Sequence, residues 1–347
     1  MAHKKKAKDS KKNNLNTSLS KYYLLFFGLF LVVSAFLLNI YYDFGAQKKE
    51  DINAVEVVEK AKPTPTKVVE QINKYLVPNN FTSTSYIVYD ENAQKIDGGL
   101  NVDKKVANAS TTKLMSAYVA YNYFPLDYVI SIPIECTKIE GSNAGLKEGE
   151  KYYFEDLLYA ILLQSAADAT CAVSYAYPGG EAAFIEKMNS QAKDFNLTNT
   201  NYVNSIGLDA PNHYSTSRDL LNLIIKLKKV NKLSIVMGSR SYVLTEQFSK
   251  RVVYIANTNE MLFKLPGTVG YKTGTTDEAG ECIVYGYVNG DISLIIVVMG
   301  SKSRFYDVAS LLDIFLQKNT NIINKPIINE ATKIFTPVIK PTPLIKN

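Results

Sequence analysis

The stretch Asn108-Ala109-Ser110-Thr111-Thr112-Lys113 sets a serine and a lysine three residues apart, ahead of Leu114, Ala117, Tyr118 and Tyr121 at helical spacing. On a helix starting near Ser110, both side chains lie on one face, a turn apart. A serine hydroxyl is a poor nucleophile at neutral pH until a neighbouring base takes its proton. Lysine serves as that base when burial or a second cation lowers its pKa. The helix start adds unpaired backbone N–H groups where an oxyanion could form. The chemistry on offer is acyl transfer through a serine ester. Taken alone, the pair also fits an ordinary amphipathic helix with Ser110 as its N-cap, so the rest of the chain has to decide.

Two further stretches decide it. Gln164-Ser165-Ala166-Ala167-Asp168 follows an apolar run, and Gly270-Tyr271-Lys272-Thr273-Gly274-Thr275-Thr276 comes later. Ser165 stands 55 residues after Ser110, and Lys272 another 107 beyond it. S-x-x-K, a Ser-x-Asn element and K-T-G in this order mark the penicillin-interacting serine enzymes. From about Ser83 to about Gln317 the chain resembles the serine D-alanyl-D-alanine carboxypeptidases, the low-molecular-weight penicillin-binding proteins. Gly141-Ser142, Gly145 to Glu150, Glu155-Asp156-Leu157-Leu158, Gly207-Leu208-Asp209 and His213 to Thr216 carry the likeness as well. One position departs from the pattern: the Asn of Ser-x-Asn is Ala167.

The resemblance implies a mechanism. Ser110 attacks the carbonyl of the terminal D-Ala–D-Ala bond of a peptidoglycan stem peptide, Lys113 takes its proton, and water later hydrolyses the acyl-enzyme. Backbone N–H groups of Ser110 and Thr275 form the oxyanion hole. Ser165 relays a proton between Lys113 and Lys272. Lys272 and Thr273 meet the substrate carboxylate, and Gly274 lets the edge strand come close to the ligand. Lys272 is also expected to be the cation that helps depress Lys113. β-Lactam antibiotics would be covalent inhibitors. A β-lactamase, and a wall-peptide-binding protein that has lost turnover, are the rival readings. Ala167 motivates the second rival, and Ala167→Asn is expected to improve the peptide reaction.

Composition narrows the alternatives. The net charge of +6 belongs to residues 1–21, which hold seven Lys and one Asp; the remainder carries 32 basic and 32 acidic residues. A neutral body without a basic stripe argues against nucleic acid. Tyr22 to Tyr42 holds 21 uncharged, mostly apolar residues, about what a helix needs to cross a bilayer. With Lys before it, the N-terminus is expected in the cytoplasm and the rest outside the cell membrane. A retained single-pass anchor is favoured over a cleaved signal peptide. Of two histidines, His3 falls in the basic tail, leaving His213 without a partner for a zinc pair or a triad, so a structural role is expected for it. No metal or organic cofactor is expected. Cys136, Cys171 and Cys282 are odd in number and widely spaced; no essential disulfide is expected, with Cys171 and Cys282 as packing residues.

The expected domain order is a basic tail (1–21), a transmembrane anchor (22–42), a linker (43–80) containing Lys62-Pro63-Thr64-Pro65, a peptidase domain (81–320) and a Pro-containing tail (321–347). Within the domain, period-two patterning predicts a hairpin over Tyr86–Tyr89 and 95–100. Helices are expected at Ser110, over 154–163, 168–177, 180–195 and 216–229, and over 303–317. Strands are expected at 129–134, 241–244, 252–255, 269–273, 282–288 and 292–299, the last two joined by Asn289-Gly290. Strands at both ends with helices between them predict an α+β domain. The resemblance implies a β-lactamase/penicillin-binding-protein-like antiparallel sheet with a helical subdomain, preceded by one N-terminal transmembrane helix.

Overall fold

The computed structural model describes residues 77–319. The basic tail, the apolar Tyr22–Tyr42 stretch, nearly all of the linker and the Pro-containing tail lie outside the described residues. Among the described residues, no helix is long and apolar enough to cross a membrane.

A five-stranded antiparallel sheet runs in the order β2-β1-β9-β8-β7. Its strands are β1 (Ser85–Asp90), β2 (Lys95–Leu100), β7 (Thr268–Thr276), β8 (Gly280–Asn289) and β9 (Ile292–Ser301). The first and last strands of the described residues meet in the centre, where β1 pairs with β9 from Ser85↔Met299 to Asp90↔Leu294. Period two sorts the side chains onto two buried faces. Tyr86, Val88, Ile283, Tyr285, Ile296 and Val298 meet the last helix, α8 (Arg304–Asn319), through Val308, Leu312 and Phe315. Ile87, Val284, Ile295, Val297 and Met299 face the helical part. Both faces are covered, so β9 reads as an unbroken apolar run although its pairing is antiparallel.

The helical part comprises α1 (Lys113–Tyr121), α2 (Phe154–Tyr159), α3 (Ala167–Ala176), α4 (Gly180–Asp194), α5 (Ser217–Leu227) and α6 (Asn231–Gly238). Thr216 caps α5, its side chain accepting from the Asp219 N–H. Strands β3 (Val129–Ser131) and β4 (Lys151–Tyr153) form one small sheet, and β5 (Ser241–Thr245) and β6 (Val252–Ala256) another, so the expected 241–244 and 252–255 strands exist apart from the main sheet. A one-turn helix, α7 (Met261–Lys264), precedes β7. Sequence pattern missed β4 and α6. β4 has three residues, too few to show a period, and the exposed Ile235 blurs the helical spacing of Leu233, Val236 and Met237.

The cysteine expectation is corrected. Cys136, in the 3-10 turn Ile134–Lys138, is disulfide-bonded to Cys171 on α3. Tertiary packing of that turn on α3 makes the pair, and a separation of 35 residues gave no sign of it. Cys282 is a buried free thiol on β8, and burial pushes it up to about 11.

Candidate active site

The nucleophile segment is built on a strained entry. Ala109 has φ 45°, and Ala109–Thr112 is a 3-10 turn that passes into α1 at Lys113. With three residues per turn, positions i and i+3 eclipse, so Ser110 and Lys113 stand directly one above the other. Lys113 Nζ lies 2.9 Å from Ser110 Oγ and donates to Ile206 O at 2.6 Å. Lys113 is 2% exposed. Burial pushes it down to about 7, while the Asp168 carboxylate pulls the other way.

Gly207 makes room for this turn. A Cβ there would lie 2.0 Å from Ala109 O, and its φ of +85° already favours glycine. Below the turn, His213 joins Thr112 Oγ1 through Nε2 at 2.8 Å and accepts the Val203 N–H on Nδ1 at 3.0 Å. Burial lowers His213 to about 4, so it is neutral at pH 7 and bonded as a structural residue.

Strand β7 supplies the opposite wall. A Cβ on Gly274 would lie 2.7 Å from Ser110 N, so the strand passes against the nucleophile's backbone. Thr273 Oγ1 shares a 2.6 Å hydrogen bond with Thr258 Oγ1. Lys272 does not line the cleft: it is 1% exposed, and its Nζ donates to Thr273 O at 2.8 Å. Burial first, then the neighbouring Lys113 and Arg304 charges, hold Lys272 well below the usual lysine range. Lys272 therefore stands behind the cleft wall rather than on it. Burial is the first cause of the fall at Lys113, and the two neighbouring lysines repel one another.

Ser165 ends a π-helical turn, Ala160–Gln164, in the left-handed region at φ 63°. A non-glycine residue there is uncommon and costs backbone strain. Ser165 lines the cleft, and its buried Oγ finds no partner among the described residues, so the link to Lys113 and Lys272 is not made in this state. Ala167, two residues on, opens α3 and also lines the cleft, 1% exposed beside Gly141.

The residues converge on a cleft of about 460 Å³. Ser110, Lys113, Ser165, Thr273, Gly274 and Thr275 all line it. Arg304 was missed by sequence reasoning. Its Nη1 donates to Gly274 O at 2.7 Å and Cys282 O at 3.0 Å, Nε reaches Glu281 Oε2 at 3.1 Å, and Nη2 bonds Thr275 Oγ1. A signal existed: an arginine opening a helix opposes the macrodipole, which favours anions there.

A serine and a buried amine on the floor of a cleft, between an antiparallel sheet and a helical part, define the penicillin-binding-protein class of fold. The chain belongs to the D-alanyl-D-alanine carboxypeptidase family, whose model matches residues 72–303. It is 28% identical over 250 residues to the D-alanyl-D-alanine carboxypeptidase DacF of Bacillus subtilis, covering 70% of this chain and 64% of that protein. It is 31% identical to a D-alanyl-D-alanine endopeptidase of Pseudomonas aeruginosa, covering 66% and 76%. Among solved structures, the Streptomyces K15 DD-transpeptidase matches with a TM-score of 0.64 at 25% identity, covering 68% of this chain and 97% of that one. A D-alanyl-D-alanine carboxypeptidase from Mycobacterium tuberculosis matches at 0.65 and 25%, covering 71% and 95%.

Proposed function

We propose that the protein is a serine D-Ala–D-Ala carboxypeptidase acting on peptidoglycan stem peptides through an acyl-enzyme on Ser110. The observation that carries it is Lys113 Nζ, buried and 2.9 Å from Ser110 Oγ on the floor of the cleft. Above about pH 7 the amine is mostly neutral and accepts the hydroxyl proton as Oγ attacks the carbonyl carbon. The tetrahedral oxyanion sits between the backbone N–H groups of Ser110 and Thr275. Ser165 Oγ, with no partner among the described residues, passes a proton to the leaving D-Ala amine. Thr273 and Thr275 hydroxyls receive the substrate carboxylate, which is favoured by the Arg304 guanidinium on Thr275 Oγ1 and by Lys272, behind Thr273, once it is protonated. Water attacks the ester in turn, with Lys113 again as base. β-Lactams acylate the same serine.

Mass spectrometry of the penicillin-treated domain tests this together with a D-Ala release assay on a pentapeptide. The adduct is expected on the Ser110 peptide and absent in Ser110→Ala. An adduct elsewhere overturns the assignment. Nitrocefin turnover would favour the β-lactamase rival, and labelling without D-Ala release the binding protein.

The same reading places the domain outside the cell on the Tyr22–Tyr42 anchor. The Cys136–Cys171 bond supports it, since disulfides persist in oxidising compartments. Protease added to protoplasts is expected to digest the domain; full protection would mean the orientation is reversed.

A further inference from the structure

The loop 139–149, between the 3-10 turn Ile134–Lys138 and β4, brings Glu140, Gly141 and Ser142 to the cleft. It is held onto the start of α3 at every step. Ala167 N–H donates to Ser142 O at 2.6 Å, and Ser142 Oγ donates to Gln164 O at 2.7 Å. Gln164 Nε2 reaches Asn143 O at 3.3 Å, and Asp168 N–H donates to Asn143 Oδ1 at 2.9 Å. The Asp168 carboxylate takes three backbone N–H groups: Ala144 and Ala169 on Oδ1 at 3.0 and 2.8 Å, and Leu146 on Oδ2 at 3.0 Å. Asp168 is 2% exposed and lies outside the cleft wall. A buried carboxylate satisfied by backbone amides fixes those amides strongly, since such charge-assisted bonds are about twice as strong as neutral ones.

We propose that Asp168 is a positioning residue for the peptide substrate: it latches the 139–149 loop onto α3, so that Gly141 and Ser142 stand over Ala167 as the wall that meets the substrate backbone. The inference rests on the peptidase reading above. A Cβ on Gly141 would lie 3.7 Å from the Ala167 Cβ, so the loop occupies the space above the short side chain. Ser142 Oγ has its hydrogen committed to Gln164 O. It therefore presents lone pairs to the cleft and accepts a substrate amide N–H. The latch has a second consequence, because Asp168 also faces the base. The charged and titratable groups around Lys113 are Asp168 from α3, Lys272 from β7, and His213 from the loop before α5, with Arg304 of α8 beyond Lys272. Asp168 favours the protonated amine; removing its charge leaves Lys113 neutral to a lower pH.

The test compares wild type, Asp168→Asn and Asn143→Ala, using a small penicillin across a pH series and D-Ala release from a pentapeptide. Asp168→Asn is expected to raise the peptide KM roughly ten-fold, more than it lowers kcat. The acid limb of penicillin acylation should move to lower pH, which a simple helix-capping role would not do. Asn143→Ala removes the tie to Asp168 N–H and two bonds inside the loop, and no charge, so KM should rise with the limb unmoved. If Asp168→Asn does not fold, Asn143→Ala decides alone, and an unchanged KM overturns the latch. Wild-type KM and limb in a folded Asp168→Asn overturn it as well. A wild-type protein that takes no penicillin on Ser110 refutes the peptidase reading, and the latch falls with it.

Discussion

Gly274→Ala is the sharpest perturbation the structure offers. The added Cβ would lie 2.7 Å from Ser110 N, and 3.0 Å from both Thr111 N and the Ala109 Cβ. Nine in ten real Cβ contacts are wider than 3.4 Å, so about 0.7 Å must be found. Two of the three obstacles are backbone atoms, and no rotamer change relieves them. Strand β7 is not free to retreat, because Arg304 grips Gly274 O at 2.7 Å and β8 pairs along its length. The shift therefore falls on the relation between Ser110 N–H and Thr275 N–H, the proposed oxyanion donors.

Misplacing reacting groups by about 1 Å costs roughly 10²-fold, and losing one oxyanion donor roughly 10²–10³-fold. We expect the second-order acylation rate and kcat/KM for the peptide to fall together by roughly 10²-fold, about 2.7 kcal/mol. Overpacking should cost about 1–3 kcal/mol of stability, too little to unfold a domain of this size. Stopped-flow acylation with a fluorescent penicillin, beside a thermal melt, measures both. A folded Gly274→Ala protein that acylates within about three-fold of wild type would refute the reasoning, since the strand would then have moved without disturbing the donors.

Acylation should rise with pH through about 7 and level off above it, as Lys113 loses its proton; Lys113→Arg, always charged, should lose both limb and activity. Replacing Cys136 and Cys171 by Ser should cost roughly 3–4 kcal/mol by the loop-closure estimate for 35 residues, read from a denaturant midpoint. His213, depressed to about 4 from 6.5, contributes stability above pH 6.5 that is lost as pH falls towards 4. His213→Asn should therefore show a shallower loss of melting temperature across that window, and an unchanged slope would deny the burial effect. Ala167→Asn is expected to improve peptide turnover, because Ala167 lines the cleft and the longer amide can reach a substrate backbone there; unchanged or slower D-Ala release in that variant would refute it.

The elements most legible in sequence are those whose period is local. β8 and β9 announce themselves by apolar runs and Asn289-Gly290, and α5 by Leu220, Leu221, Leu223, Ile224 and Leu227 behind a Thr216 cap. Ser110 and Lys113 were legible because three residues suffice to state their relation. What was not legible depends on distant partners. Asp168 meets the loop 22 and 24 residues upstream, Cys171 meets Cys136 across 35, and Arg304 reaches Gly274 across 30. The π turn before Ser165 has no composition of its own. Its residues are fully apolar up to Gln164, as an α-helix's would be, and only the left-handed turn at Ser165 betrays the extra residue.

The electrostatics of the base follow from the same distinction. A general base works best when its pKa lies near the operating pH: lower, and it is a weaker base; higher, and it is mostly protonated. Burial drives a lysine downward, and at Lys272 the neighbouring Lys113 and Arg304 charges push the same way. Lys113, as deeply buried, stands at about 7, because the Asp168 carboxylate opposes the effect of burial there. That carboxylate is itself kept at the site by three backbone amides, two of them from the loop that walls the cleft. The residue that sets the wall thus also sets the base, and a mutation at Asp168 cannot change one without the other.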